Sequence, residues 1–169
     1  MNIVELQHEL ADHGYEILEK IGEGGSRMVF LARKNLVEDP VVVKVFKQEN
    51  IHQRIERKRE QKPLEDILRA ELEVIRSLSH PNLVRCFHHG AVNGSYFLEE
   101  EYMDGGSLAS HLRQLSENQI RKFFVDIANG VGHLHSKGFY VRDFKLDNVL
   151  TDKELTLAKI SDLELSLIR

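Results

Sequence analysis

Between Tyr15 and Phe46 the chain alternates short apolar runs with Gly, Asn, Asp and Pro, the pattern of antiparallel strands joined by turns. "MVFLAR" (residues 28–33) and "VVVKVF" (41–46) are the clearest strands. After Pro63, the residues Leu64, Ile67, Leu68, Leu72, Ile75 and Leu78 recur at helical spacing and predict an amphipathic helix. "LVRCFHHG" (83–90) and "SYFLEEEYM" (95–103) add two strands around an Asn93-Gly94 turn, which makes a sheet of about five strands. Beyond Asp104-Gly105-Gly106 the pattern turns helical. "SLASHLRQL" (107–115) comes first, then a longer helix opened by Ser116 with Gln119 completing a capping box. Its apolar face is Ile120, Phe123, Phe124, Ile127, Val131 and Leu134. From Phe139 the chain returns to short strands around polar turns, and it contains no internal repeat or low-complexity tract.

A length of 169 residues fits one domain or two small lobes sharing a cleft. Composition narrows the partners. A net charge of -4 gives no global basic field for nucleic acid. The one basic stretch, "KQENIHQRIERKREQK" (47–62), interleaves no aromatic residue and reads as a solvated loop or helix lead. Cys86 is the only cysteine, which excludes an intrachain disulfide and a multi-thiolate zinc site and points to a reducing compartment. No run approaches the ~18 apolar residues of a membrane span, and "MNIVELQHELADHGY" lacks a charged segment before an apolar core. The expectation is a cytoplasmic protein with neither membrane nor nucleic acid as partner.

Three segments bear chemistry. "IGEGGSRMV" (21–29) lies between two predicted strands; it reads either as a hairpin turn or as a flap whose amides cover phosphates. Lys44 leaves a strand whose neighbours are all apolar, where an unpaired ammonium is costly to bury. Glu71 falls within the apolar stripe of the helix after Pro63 and is its candidate partner. "YVRDFKLDNVL" (140–150) sets Asp143, Lys145 and Asn148 close together. Transfer of a phosphoryl group to a hydroxyl needs a carboxylate for the proton, a cation near the moving group and oxygen ligands for magnesium. Asp162 in "KISDLEL" follows a two-strand turn that would return it beside Asn148 as the second metal ligand.

These residues carry a resemblance to the eukaryotic-type serine/threonine protein kinases. "GEGGSRMV" resembles the family's Gly-rich loop, "VVVK" its lysine strand, and "ELEVIRSLSHPNLVRCF" its regulatory helix and His-Pro-Asn turn. "EEYMDGGSL" resembles the hinge, "HLHSKGFYVRDFKLDN" the catalytic helix and loop, and "KISDLELS" the metal-binding segment. The resemblance runs from about Tyr15 to the C-terminus. It implies an α+β protein kinase-like fold: a five-stranded antiparallel N-lobe with one helix and hinge (about 15–103), and a truncated helical C-lobe (104–169), with ATP between them. It implies that Asp143 is the catalytic base and that Lys145 meets the γ-phosphate. Lys44, paired with Glu71, would hold the α- and β-phosphates, and Asn148 with Asp162 would hold Mg2+. Ile21, Gly22, Gly24 and Gly25 would cover the nucleotide, Val29, Val42 and Leu150 would enclose adenine, and backbone near Glu101 and Met103 would hydrogen-bond it. Lys145 two residues after Asp143 is the serine/threonine form of this loop, so the implied substrate is a protein serine or threonine.

Several positions depart from the family pattern. Arg27 replaces the third loop glycine, Val42 the usual alanine, Val141 a His or Tyr, and Leu163 a Phe. Glu164 replaces the glycine of the metal-binding triplet, and Glu100 guards the back of the adenine pocket, where an acidic group needs a partner. The chain stops at Arg169, before an activation loop and the large substrate-binding helices. A fragment of a longer kinase, a minimal kinase, and a pseudokinase or nucleotide-binding interaction module without turnover are the competing readings. A partner protein would then cover the truncated C-lobe. His88-His89 and His133-x-His135 lack acidic or thiol partners at ligand spacing, Asp152 reads as a solvated turn residue, and Cys86 as a small core residue.

Overall fold

A computed structural model describes residues 3–47, 72–92, 94–141 and 144–163. The chain divides into two compact units, Met1–Ala70 with Cys86–Tyr102, and Glu71–Arg85 with Met103–Arg169.

In the first unit, β1 (Tyr15–Glu23), β2 (Arg27–Lys34), β3 (Pro40–Phe46), β4 (Cys86–Val92) and β5 (Ser95–Glu101) form one antiparallel sheet in the order β1-β2-β3-β5-β4. The alternation in β2 sends Met28, Phe30 and Ala32 to one face, and the register carries that face across to Val41, Val43 and Val45 on β3 and Phe97 on β5. The face is covered by α1 (Ile3–Asp12), an element the sequence reading did not anticipate. Leu6 and Leu10, one helical turn apart and fully buried, seat α1 in that core. Each contributes about 1.5–3 kcal/mol through burial. The same face buries a polar cluster. Glu99 accepts hydrogen bonds from the Tyr15 hydroxyl and from Lys34 Nζ, and Lys34 stands 5.3 Å above the Tyr15 ring. Burial first, then the hydrogen bond and charge of Glu99, push the Tyr15 phenol well above its ordinary range.

The second unit holds α2, described over residues 72–77, then β6 (Gly106–Ser107), α3 (Leu108–His111) and α4 (Glu117–Ser136). A 3-10 turn (Leu146–Asn148), β7 (Val149–Thr151) and β8 (Ala158–Ile160) complete it, with sheet order β6-β7-β8. The helix expected over 107–115 reduces to the four residues of α3. The capping box at Ser116 forms as the sequence requires: its hydroxyl accepts from the Gln119 amide, and Gln119 Oε1 accepts from the Ser116 amide at 3.0 Å. Of the predicted apolar face of α4, Phe123 and Leu134 are buried, whereas Ile120 and Phe124 stand exposed beside Val125.

Gly130 lets α4 approach the His80–Leu83 turn. A Cβ there would lie 2.8 Å from the Asn82 carbonyl oxygen and 3.0 Å from Ile160 Cδ1. Asn82 ties the turn to β8, accepting from the Ile160 amide at 2.9 Å and donating from Nδ2 to the Ala158 carbonyl at 3.0 Å. The loop between β7 and β8 is organised by Asp152 rather than left to solvent, a correction to the sequence reading. The Asp152 carboxylate accepts from the Thr156 amide (2.7 Å), the Thr156 hydroxyl and the Leu157 amide (2.8 Å). Desolvation alone would raise its pKa, but these hydrogen bonds together outweigh it and hold the carboxyl below its usual value.

Candidate functional site

In the first unit, the face of the sheet opposite α1 carries Val29, Val42, Lys44, Leu98 and Glu100. Val29 stands opposite Lys44 on β2, and Leu98 and Glu100 stand opposite Lys44 and Val42 on β5. Lys44 and Glu100 are therefore diagonal neighbours on one face, within reach of two long side chains. They close into an ion pair of 2.8 Å with side-chain exposures of 8% and 7%. The lysine that the sequence marked as costly to bury has a carboxylate from its own sheet. Sequence reading missed this pair because it depends on β5 lying beside β3, and strand order is not written in hydrophobic alternation. Glu71, the expected partner, lies outside the described residues.

The turn between β1 and β2 begins at Gly24, whose amide donates to the Arg27 carbonyl at 2.9 Å. Neither Gly24 nor Gly25 has a positive φ, and a Cβ at either position would meet nothing within 4 Å. Local backbone demands therefore do not explain these glycines. Gly22 is different, since a Cβ there would touch Val29 at 3.5 Å. Ile21 is exposed. At the base of the turn, Glu23 bridges Lys20 and Lys47, the latter at 2.7 Å. Hydrogen bonds from Lys20 and then Lys47, reinforced by their charges, lower the Glu23 carboxyl to about 2. Glu101 closes β5.

In the second unit, the β7–β8 hairpin pairs Val149 with Ile160 and so brings the residues flanking its open end together. The Asn148 carbonyl accepts from the Ser161 amide at 2.8 Å and from the Ser161 hydroxyl at 3.0 Å. Asp162 follows directly, in a left-handed conformation at φ 62°. A non-glycine residue in that region stores strain that its surroundings must hold. Leu163, where the family pattern has an aromatic residue, is buried with Leu78, Leu83, Leu134 and Ile160, and Phe139 and Val141 pack against the cluster. Lys145 is exposed and precedes the 3-10 turn, Leu150 lies in β7, and Met103 is buried. Arg142, Asp143 and Glu164 lie outside the described residues. Among the described residues, no group of three or more His, Cys, Asp or Glu converges as a metal site, and no helix is long and apolar enough to cross a membrane.

The α+β architecture is that of a protein kinase. The chain superimposes on the crystal structure of Rad53 1-466 in complex with AMP-PNP with a TM-score of 0.74 and 25% identity, covering 90% of this chain and 38% of that one. A protein kinase domain model matches residues 15–168, and the chain belongs to the protein kinase family. It is 33% identical over 157 residues to CBL-interacting protein kinase 31 of Oryza sativa subsp. japonica, covering 90% of this chain and 32% of that protein. It is 32% identical over 155 residues to CBL-interacting serine/threonine-protein kinase 24 of Arabidopsis thaliana (90% and 33%). With the maternal embryonic leucine zipper kinase of Danio rerio it shares 30% over 160 residues (93% and 22%). The chain thus spans about a third or less of the length of these curated relatives.

Proposed function

We propose that this chain supplies the nucleotide-binding and catalytic groups of a serine/threonine protein kinase, passing the γ-phosphate of Mg-ATP to a protein hydroxyl. The observation that carries the reading is the family match over 15–168, within which the hairpin sets Asp162 next to the residue bonded to Asn148. Lys44 would hold the α- and β-phosphates beneath Ile21, Gly22, Gly24 and Gly25. Val29, Val42 and Leu150 would enclose adenine, with the backbone near Glu101 and Met103 as its hydrogen-bond partner. Asn148 and Asp162 would hold magnesium; their amide and carboxylate oxygens suit a hard cation. Bound there, magnesium would offset phosphate charge. Asp143 would take the proton of the attacking serine or threonine hydroxyl, and Lys145 would stabilise charge on the transferred group. The single cysteine fits the reducing cytoplasm. Exposed Ile120, Phe124 and Val125 on α4 support the expected cover by a partner protein.

A nucleotide-binding module without turnover is the second reading, favoured by Glu164 in place of the glycine of the metal-binding triplet. The deciding experiment is transfer of labelled γ-phosphate from Mg-ATP, to the chain itself and to a generic basic protein, by the parent, Asp143→Ala and Lys44→Ala. Labelling by the parent, lost in Asp143→Ala with nucleotide binding retained and reduced in Lys44→Ala, is the expected result. Equal labelling by Asp143→Ala would overturn the assignment of the base. No labelling by a folded parent would favour the second reading.

A further inference from the structure

Where α4 meets the turn that precedes β4, two histidines face each other. His80 opens the turn and His133 lies in the last turn of α4. Their rings stack with centroids 4.8 Å apart and planes at 27°. His80 Nδ1 accepts the Asn82 amide at 3.1 Å, so that nitrogen carries no proton and the docked ring is neutral. Both histidines are half-buried, and Leu83 and Leu134, close to them in sequence, are buried together in one apolar cluster. The same turn grips β8. Beyond the two bonds of Asn82, the Val84 amide donates to the Ile160 carbonyl at 2.9 Å, and Leu83 bridges Ile160 in parallel.

We propose that His80 and His133 form a pH-sensitive clasp, which docks the turn on α4 while both rings are neutral and releases it when acid protonates them. A proton on His80 acts twice. It occupies Nδ1 and so takes the acceptor away from the Asn82 amide, and it sets a cation against a second ionisable imidazole. Two unit charges 4.8 Å apart at a half-exposed joint repel enough to shift an equilibrium about tenfold. Among the described residues, α4 presents the one group whose charge acts on the His80 ring, His133. Lys137 after α4, Glu73 and Arg76 on α2, Arg85 before β4 and Lys159 on β8 do not shift it. Burial first, then His133, hold the His80 pKa below its ordinary value. The released turn therefore binds the proton more readily than the docked one. The clasp is at full strength above the ordinary histidine value of about 6.5 and is lost as pH falls through the lower value of the docked ring. Because β8 continues into Ser161 and Asp162, release of the turn frees the strand that presents the proposed metal ligand.

The test is amide hydrogen exchange of the purified full chain from about pH 7.5 to about pH 5, a range that spans the histidine titration. The parent is compared with His133→Phe, which keeps a flat ring and cannot take a charge. Protection factors, corrected for the intrinsic pH dependence of exchange, are read at Ile160 and Val84 for the turn and along β3 for the first unit. Protection at Ile160 and Val84 should fall about tenfold further on acidification in the parent than in His133→Phe, with β3 unchanged. A merely structural role for His133 would lower protection by the same factor at every pH. An equal acid fall in the two proteins would overturn the proposal, and so would a parallel loss along β3, which marks global acid unfolding. Should His133→Phe fail to fold, proton NMR titration of the parent's imidazoles decides. His80 is expected to titrate below about 6.5 and to shift a second time as His133 takes its proton. A single step, or titration at or above about 6.5, would sink the clasp.

Discussion

Two glycines two residues apart in α4 should respond to alanine with opposite signs. Replacing a helical glycine with alanine gains about 1 kcal/mol of backbone propensity. At Gly132 a Cβ would meet nothing within 4 Å, so that gain is realised in full. At Gly130 the same atom would lie 2.8 Å from the Asn82 carbonyl oxygen, 3.0 Å from Ile160 Cδ1 and 3.3 Å from Leu83 Cδ2. The nearest of these is backbone, and it accepts the Ile160 amide at 2.9 Å, so the turn cannot retreat without disturbing β8. Overpacking of this kind costs about 1–3 kcal/mol. The propensity term cancels between the two variants, which leaves Gly130→Ala less stable than Gly132→Ala by about 2 kcal/mol. For a chain of this size that is a gap of about 4–8 °C in Tm, with Gly132→Ala above the parent by about 2–4 °C. Thermal unfolding followed by far-ultraviolet circular dichroism measures both. If Gly130→Ala gained as much stability as Gly132→Ala, the close approach of α4 to the His80–Leu83 turn would be wrong.

Leu10→Ala should cost about 2–5 kcal/mol in urea unfolding, because the side chain is fully buried beneath the sheet, whereas solvent-facing Val4→Ala should stay within about 0.5 kcal/mol of the parent. Equal effects would mean that α1 does not close the core. Tyr15→Phe removes a hydroxyl that donates to the buried Glu99 carboxylate and should cost about 1.5–3 kcal/mol, read as a lower urea midpoint with an unchanged slope. Asp152→Asn should be less stable than the parent near neutral pH by about 1 kcal/mol. Since folding lowers the Asp152 pKa, its contribution is present above the unfolded carboxyl value of about 4 and is lost as pH falls through the folded one. The gap between parent and Asp152→Asn should therefore close in acid, and a gap constant down to the acid transition would argue against the carboxylate as the organising group.

Strand content and the capping box were legible because each rests on a local rule. Alternation marked β2 and β3, Gly94 with its positive φ stands at the turn into β5 while Asn93 lies outside the described residues, and Ser116 with Gln119 marked the start of α4. The hairpin explains why Asn148 and Asp162, named from motif order and fourteen positions apart in sequence, come to its open end together. What escaped was non-local. The two leucines of α1 repeat once only, too short a period to stand out until the sheet supplies the surface they bury against. Phe124 was read as core because helical periodicity gives a stripe but not its width, and it is 73% exposed. Asp152 looked solvated because the amides that reach it come from residues on the far side of its own turn.

The run Glu99-Glu100-Glu101 on β5 looks like a solvated acidic stretch, yet its first two members are buried on opposite faces, one facing Lys34 and the other Lys44. Charge alone would not hold that strand in place. A one-residue slide in one direction would still offer each lysine a carboxylate, with Glu100 and Glu101 in the places of Glu99 and Glu100. Such a slide also drives Glu99 into the fully buried position of Leu98 and takes Phe97 away from the edge-on rings of His13 and Tyr15. The slide in the other direction leaves Lys34 facing a leucine. The charges set which lysine each carboxylate meets, and the two apolar residues ahead of them make the strand's alignment single-valued.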